Sequence, residues 1–234
     1  MADISKWDYW RSYVQDVHLE SISSDVNGDL DLWLVKGQLQ LCASTAIYSF
    51  GLKYLNYLKS FELIDLDALP GFEILSLGFG LGSIPTILEK KFGKVFQYTG
   101  VELDEEILLL ANEYVVPDLV SNCILIHADA YQFIRLNTQQ YAMITMDVFL
   151  DAEVPSQFEE LEFLALLKEA LQPGGILLYN RMSHTEQQKM TTNRFLQRNF
   201  KKIFPSAVAI KLDGNTMLFS DDQLFKRRKR NAHY

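Results

Sequence analysis

Cysteine is scarce in this chain. Cys42 and Cys123 are the only two, far apart and without metal-ligand spacing. Their scarcity excludes a disulfide-stapled scaffold and points to two structural thiols in a reducing compartment. Long hydrophobic runs are also lacking. No apolar stretch reaches the roughly 20 residues that a bilayer span needs, and residues 1–6 show no signal-peptide pattern. A cytoplasmic protein with no membrane contact is the expectation. Positive charge is in deficit, with 22 Lys and Arg against 30 Asp and Glu, a net charge of −8. A nucleic-acid partner is disfavoured, because phosphate contacts need a basic surface. The run Lys226-Arg227-Arg228-Lys229-Arg230 is the local exception and reads as a solvated terminus. Repeats, low-complexity segments and metal-binding clusters are absent.

What is present is a full core's worth of apolar residues, 48% of 234, enough for one main domain with an appendage. The appendage is expected over residues 1–60. Residues 17–22 and 30–35 alternate as strands do, around the hairpin signal Asn27-Gly28. Lys36-Gly37 turns the chain into a third run at 38–41. From about Ser44 the period changes: Ile47, Phe50, Tyr54, Leu58 and Phe61 recur at helical steps. Residues 61–234 are expected to form the main domain. Strand candidates 73–77, 95–102, 123–127, 142–147 and 175–179 alternate with helical stretches 83–92, 105–114, 130–137 and 158–171. That alternation predicts an α/β, Rossmann-like, doubly wound and mostly parallel sheet. A helix near 185–202 and two short runs around Asp213-Gly214 predict a closing antiparallel hairpin.

The glycine-rich segment is Leu77-Gly78-Phe79-Gly80-Leu81-Gly82-Ser83, and a second apolar run closes on Val101-Glu102-Leu103-Asp104. Glycines let a strand-to-helix turn approach a ligand closely, and an acid at the next strand end can accept from a ribose diol. The dinucleotide fingerprint wants glycine at 83, where Ser83 stands. Three glycines ending at Gly82 fit an S-adenosylmethionine loop better than a nicotinamide one. Asp104 reads as a helix N-cap. Asp129, ahead of Ala130, can meet the adenine amine and cap the following helix. Asp147 ends a buried strand at the edge where ligands bind in open α/β sheets; there it can orient an amine or remove its proton. Asp151 adds charge in the next loop, and Asn180 ends the fifth strand. His127 reads as structural.

Together these pieces resemble the spermidine synthase-like branch of the class I S-adenosylmethionine-dependent methyltransferases. The carriers are residues 77–82 with 101–104, 129–133, Asp147 through Pro155 to Leu164, and Leu171-Gln172-Pro173-Gly174-Gly175. The resemblance implies that Gly78, Gly80, Gly82, Glu102, Asp129 and Ala130 hold S-adenosylmethionine or its decarboxylated form. It implies Asp147 and Asp151 at the transfer site, a small-molecule substrate and a homodimer. Three departures stand out. The family's acidic pair in the first helix segment is replaced by residues 43–50, which hold no acid. Its D-x-x-D pair is one residue wider here, and Asp213-Gly214-Asn215-Thr216 replaces its Thr-Tyr-Pro-Ser-Gly segment. The missing acids shift the expectation toward methyl transfer to an unidentified small nucleophile. Aminopropyl transfer to putrescine and a non-catalytic cofactor-binding protein are the alternatives.

Overall fold

The computed structural model describes residues 4–43, 46–49, 51–149 and 154–226. A short helix, α1 (Lys6–Arg11), is capped by the Ser5 hydroxyl, which accepts from the Asp8 amide. Then β1 (Val17–Ser24), β2 (Gly28–Val35), β3 (Gln38–Ala43) and β4 (Ala46–Ser49) form an antiparallel sheet in that order. Lys36 and Gly37 both take positive φ, 51° and 71°. Two such residues make the mirror-image turn whose twist matches a hairpin.

The helix expected from Ser44 does not start there. Ala46 and Ile47 pair with Ala43 and Cys42 in the β3–β4 ladder, so strand pairing claims this stretch. Gly51, at φ 42°, opens a 3-10 turn over Gly51–Lys53, and α2 runs only over Leu55–Leu63. Ser44, Thr45 and Phe50 lie outside the described residues.

The main sheet contains β5 (Glu73–Leu77), β6 (Gln97–Glu102), β7 (Asn122–His127), β8 (Tyr141–Met146), β9 (Leu171–Met182), β10 (Val208–Lys211) and β11 (Asn215–Phe219). Their order is β10-β11-β9-β8-β5-β6-β7. Strands β5 to β9 pair in parallel, and β11 runs antiparallel to both β9 and β10. All six residues of β8 are buried, as a central strand covered on both faces requires.

The helices are α3 (Ser83–Phe92), α4 (Glu105–Tyr114), α5 (Ala130–Leu136), α6 (Leu161–Glu169) and α7 (Glu186–Phe195). A π-turn at Leu196–Phe200 leads from α7 into a last single turn, α8 (Lys201–Ile203). On one face of the sheet, Leu75, Ile144 and Leu177 pack with Ile134, Phe163 and Phe200. On the other, Ile74, Met143 and Ile176 pack with Tyr57 and Phe61 of α2 and Ile87 of α3. The small sheet seats Leu30, Leu32 and Leu41 against Ile107 and Leu110 of α4 and against Phe79 of the glycine turn.

The chain moves outward from β5 through β6 to β7, then returns to the opposite side of β5 as β8. The crevice between the ends of β5 and β8 is therefore the topological switch point, where open α/β sheets bind ligands. Among the described residues, no helix is long and apolar enough to cross a membrane, and no group of His, Cys, Asp and Glu could hold a metal ion.

Candidate active site

A cleft of about 780 Å³ opens at the switch point. The turn after β5 forms one wall. Gly78 and Phe79 donate their amides to Val101 O at 2.9 and 3.1 Å, which pins the turn to β6. Gly78 has φ 79°, and a Cβ there would collide with the carbonyl oxygen of Asp147. The Asp147 amide in turn donates to Leu77 O at 2.8 Å. Only glycine satisfies both the positive φ and that close approach. Gly80 lines the cleft; Gly82 does not. With φ 76°, Gly82 packs against the Phe79 ring and begins α3, so its place is in shaping the turn.

Glu102 reaches back to this turn. Its Oε2 accepts from Gly80 N at 3.0 Å, and Oε1 accepts from Leu103 N at 2.9 Å and Asp104 N at 3.3 Å. Burial raises its pKa, against the pull of these amides and with a smaller push from Asp104. Three of its roughly four lone-pair positions are thereby taken, and the residue lines the cleft. Asp104 caps α4 as expected, accepting from Glu106 N at 3.0 Å. It is also buried, and accepts from Ser24 Oγ and Asn27 Nδ2 at the tip of the β1–β2 hairpin. Through that tie, Val26 and Asn27 become part of the cleft wall.

Asp129 caps α5 through Oδ1, which accepts from Gln132 N at 2.9 Å; Gln157 Nε2 lies 3.5 Å from Oδ2. Ala130 is buried beside it on the cleft floor. His127 donates to Leu103 O at 2.9 Å, a local structural tie away from the cleft lining.

Asp147 lies directly after β8. Its Oδ2 accepts from the Tyr54 hydroxyl at 2.7 Å, and Oδ1 accepts from Asn180 Nδ2 at 2.9 Å. Burial lifts its pKa from 3.8 to about 6, with Glu102 adding to the rise and the Asn180 and Tyr54 bonds opposing it. Tyr54 is pushed well above 10 by burial and by the charge and hydrogen bond of Asp147, so it stays a donor at neutral pH. Asn180 Oδ1 accepts from Asn215 Nδ2 at 3.0 Å. Asp151 lies outside the described residues.

The site therefore brings together Gly78, Gly80, Glu102, Asp129, Ala130, Asp147 and Asn180. Sequence reasoning missed Tyr54, Asn215, His184 and Gln188, which also line the cleft. The Asp213-Gly214 hairpin signal placed Asn215 at a turn but gave no hint of its partner. Tyr54 was legible only as a helical apolar position, because its partner lies 93 residues away. The acceptor carboxylates Glu102 and Asp129, flanked by Leu103, Ala128, Ala130 and Phe158, suit a ligand with hydroxyl and amine donors on an apolar body.

A glycine turn after the first parallel strand, an acid after the second and a carboxylate after the fourth, on a sheet in this order, define a class I S-adenosylmethionine-dependent transferase fold. The model of the spermine/spermidine synthase domain matches residues 73–213, and the chain belongs to that family. A curated relative from Bifidobacterium longum, described as a probable polyamine aminopropyl transferase, is 27% identical over 139 residues. The match spans 59% of this chain but only 30% of that relative's length. The crystal structure of a probable spermidine synthase from Corynebacterium glutamicum superposes with a TM-score of 0.68 at 18% identity, covering 88% of this chain and 80% of that one. Human methyltransferase-like protein 13, in complex with SAH, superposes at 0.56 with 22% identity, covering 72% and 80%. The methyl-transfer expectation thus has support at the level of fold alone, while family and curated relative favour the aminopropyl alternative.

Proposed function

We propose that this protein transfers an aminopropyl group from decarboxylated S-adenosylmethionine to an alkyl amine. The observation that carries this reading is the charge of the cleft. Glu102, Asp129 and Asp147 all face it, and no lysine or arginine is among its described lining residues. Three carboxylates favour a cationic ligand and repel one that carries a carboxylate of its own. Decarboxylation removes that repulsion.

When bound, the decarboxylated cofactor supplies a propyl carbon activated by its sulfonium: the amine nitrogen bonds to that carbon as the C–S bond breaks, and the sulfur leaves with the electron pair as a neutral thioether. Glu102 and Asp129 supply acceptors for hydroxyl and amine donors. Asp147 holds the incoming ammonium and takes one proton from it, which frees the nitrogen lone pair for attack; the product leaves as a secondary ammonium and Asp147 returns its proton to solvent. Tyr54 and Asn180 fix that carboxylate from both oxygens. A free alkylamine titrates near 10.4, so an ordinary aspartate is a poor base for it. Lifting Asp147 from 3.8 to about 6 narrows the mismatch by about 3 kcal/mol. Much of the remaining work is positioning, since a correctly held nucleophile needs little further activation.

A thermal-shift panel tests the reading. Ligand at about a hundred times its dissociation constant adds about 2.7 kcal/mol, a rise of roughly 5–10 °C for a chain of this size. Decarboxylated S-adenosylmethionine and methylthioadenosine should give the larger shifts, and putrescine with the former should yield spermidine. A larger response to S-adenosylmethionine than to its decarboxylated form would overturn the assignment in favour of methyl transfer.

A further inference from the structure

Asn215 begins β11, immediately after the Asp213-Gly214 turn, and is only 7% exposed. Its backbone is fixed independently of its side chain. Asn215 O accepts from Leu212 N at 2.8 Å, and the residue pairs with Met182 of β9. Its side chain is the outer member of a short chain of amides: Asn215 Nδ2 donates to Asn180 Oδ1, and Asn180 Nδ2 donates to Asp147 Oδ1.

The direction of this chain follows from its inner end. An ionised carboxylate only accepts, so Asn180 must turn its NH2 toward Asp147 and its carbonyl toward Asn215. An amide flipped by half a turn has nearly the same shape but presents the opposite groups. At 1% exposure Asn180 has almost no access to bulk water. The Asp147 carboxylate and the donor offered by Asn215 therefore favour the same one of its two orientations, and Asn215 adds to that preference.

We propose that Asn215 is a positioning residue: it holds Asn180 in the orientation that donates to Asp147, and so sets how tightly that carboxyl keeps its proton. Among the described residues, the other groups acting on Asp147 are Tyr54, which precedes α2, Tyr57 within α2 and Glu102 at the end of β6; His184 lines the same cleft. Burial holds both tyrosines protonated well beyond neutral pH. The Tyr54 hydroxyl can only be removed by substitution, whereas the amide that faces Asp147 can be turned from donor to acceptor without changing a charge on the carboxyl itself.

The consequence for turnover rests on the aminopropyl-transfer reading, whereas the consequence for titration does not. The test is a carbon-13 NMR titration of the aspartate carboxyls in the full chain, with Asp147→Asn identifying the Asp147 signal. Asn215→Ala removes the donor and should raise the Asp147 midpoint by about one unit, a roughly tenfold gain in proton affinity. Asn215→Asp offers only acceptors while ionised, and should raise it at least as far by turning the Asn180 carbonyl toward Asp147. The acid limb of the transfer rate should move upward by the same amount, with kcat at pH 9 approaching wild type. An unchanged midpoint in either folded variant overturns the proposal. Failure of both variants to fold, where Asn180→Ala folds, overturns it equally by assigning Asn215 to the hairpin's stability. A wild-type protein without transferase activity counts against the proposed function and leaves the titration result to decide this one.

Discussion

At the scale of single residues, the site concentrates its energy on one carboxyl. Asp147 is held by Tyr54 and Asn180 yet keeps a midpoint near 6 because burial outweighs both bonds. Activity should therefore rise with pH through about 6, as the carboxyl becomes able to accept a proton, and then level off. Asp147→Asn keeps the shape and removes the proposed base. We expect turnover to fall by roughly 10²–10⁴-fold and the limb near 6 to vanish, as measured by spermidine formation across pH 5–9. Turnover within twofold of wild type would remove Asp147 from the chemistry.

At the scale of elements, the β1–β2 hairpin serves the cleft through Asp104. That carboxyl caps α4 and also accepts from Ser24 and Asn27, so one side chain joins the small sheet to the main one. Asp104→Ala leaves these donors without their acceptor and should cost on the order of 2–3 kcal/mol. The loss should be read as a lower urea midpoint and, with Val26 and Asn27 released from the wall, weaker cofactor binding by calorimetry. A variant that binds as tightly as wild type would show that the hairpin takes no part in the site.

The same scale shows what the sequence could disclose. Main-sheet strands and helices were legible because each is a run of one period bounded by its own punctuation, such as Gly82, Asp104 and Asp129 at the helix starts. Asp147 was legible because it ends an apolar strand. Residues 46–49 were misread because an apolar spacing suitable for a helix was overridden by pairing with β3. The side-chain network behind Asp147 was not legible, since Tyr54, Asn180 and Asn215 are assembled from three separate elements by the fold.

At the scale of the whole molecule, two carboxyls pull the pH dependence of stability in opposite directions. The Asp147 midpoint is higher folded, about 6, than its ordinary 3.8. The folded state then binds more protons between those values, and stability falls as pH rises through that window, by at most about 3 kcal/mol. Glu89 runs the other way. Burial would raise its pKa, but the amides of Ser121 and Val120, the Lys90 ammonium and the Ser121 hydroxyl bring it down from 4.5 to about 2. Its contribution is present above 4.5 and lost as pH falls toward 2, again by about 3 kcal/mol. Denaturant melts should therefore show Asp147→Asn more stable than wild type at pH 7 but similar at pH 3.5. Glu89→Gln should be less stable at pH 7 and converge on wild type near pH 2. Parallel curves for wild type and Asp147→Asn over pH 3.5–7 would contradict the assigned burial.

The contact between Gly78 and the Asp147 carbonyl has an evolutionary consequence. A side chain at Gly78 would meet the Asp147 backbone, and the Asp147 amide is bonded to Leu77, so the distance between the glycine turn and Asp147 is common property of two strands. No single side-chain substitution can tune one without disturbing the other. Under the proposed function, a change of acceptor is therefore expected at the margins, in the β10–β11 hairpin, the hairpin tip at Val26 and Asn27, or the start of α7, with the central pair left intact.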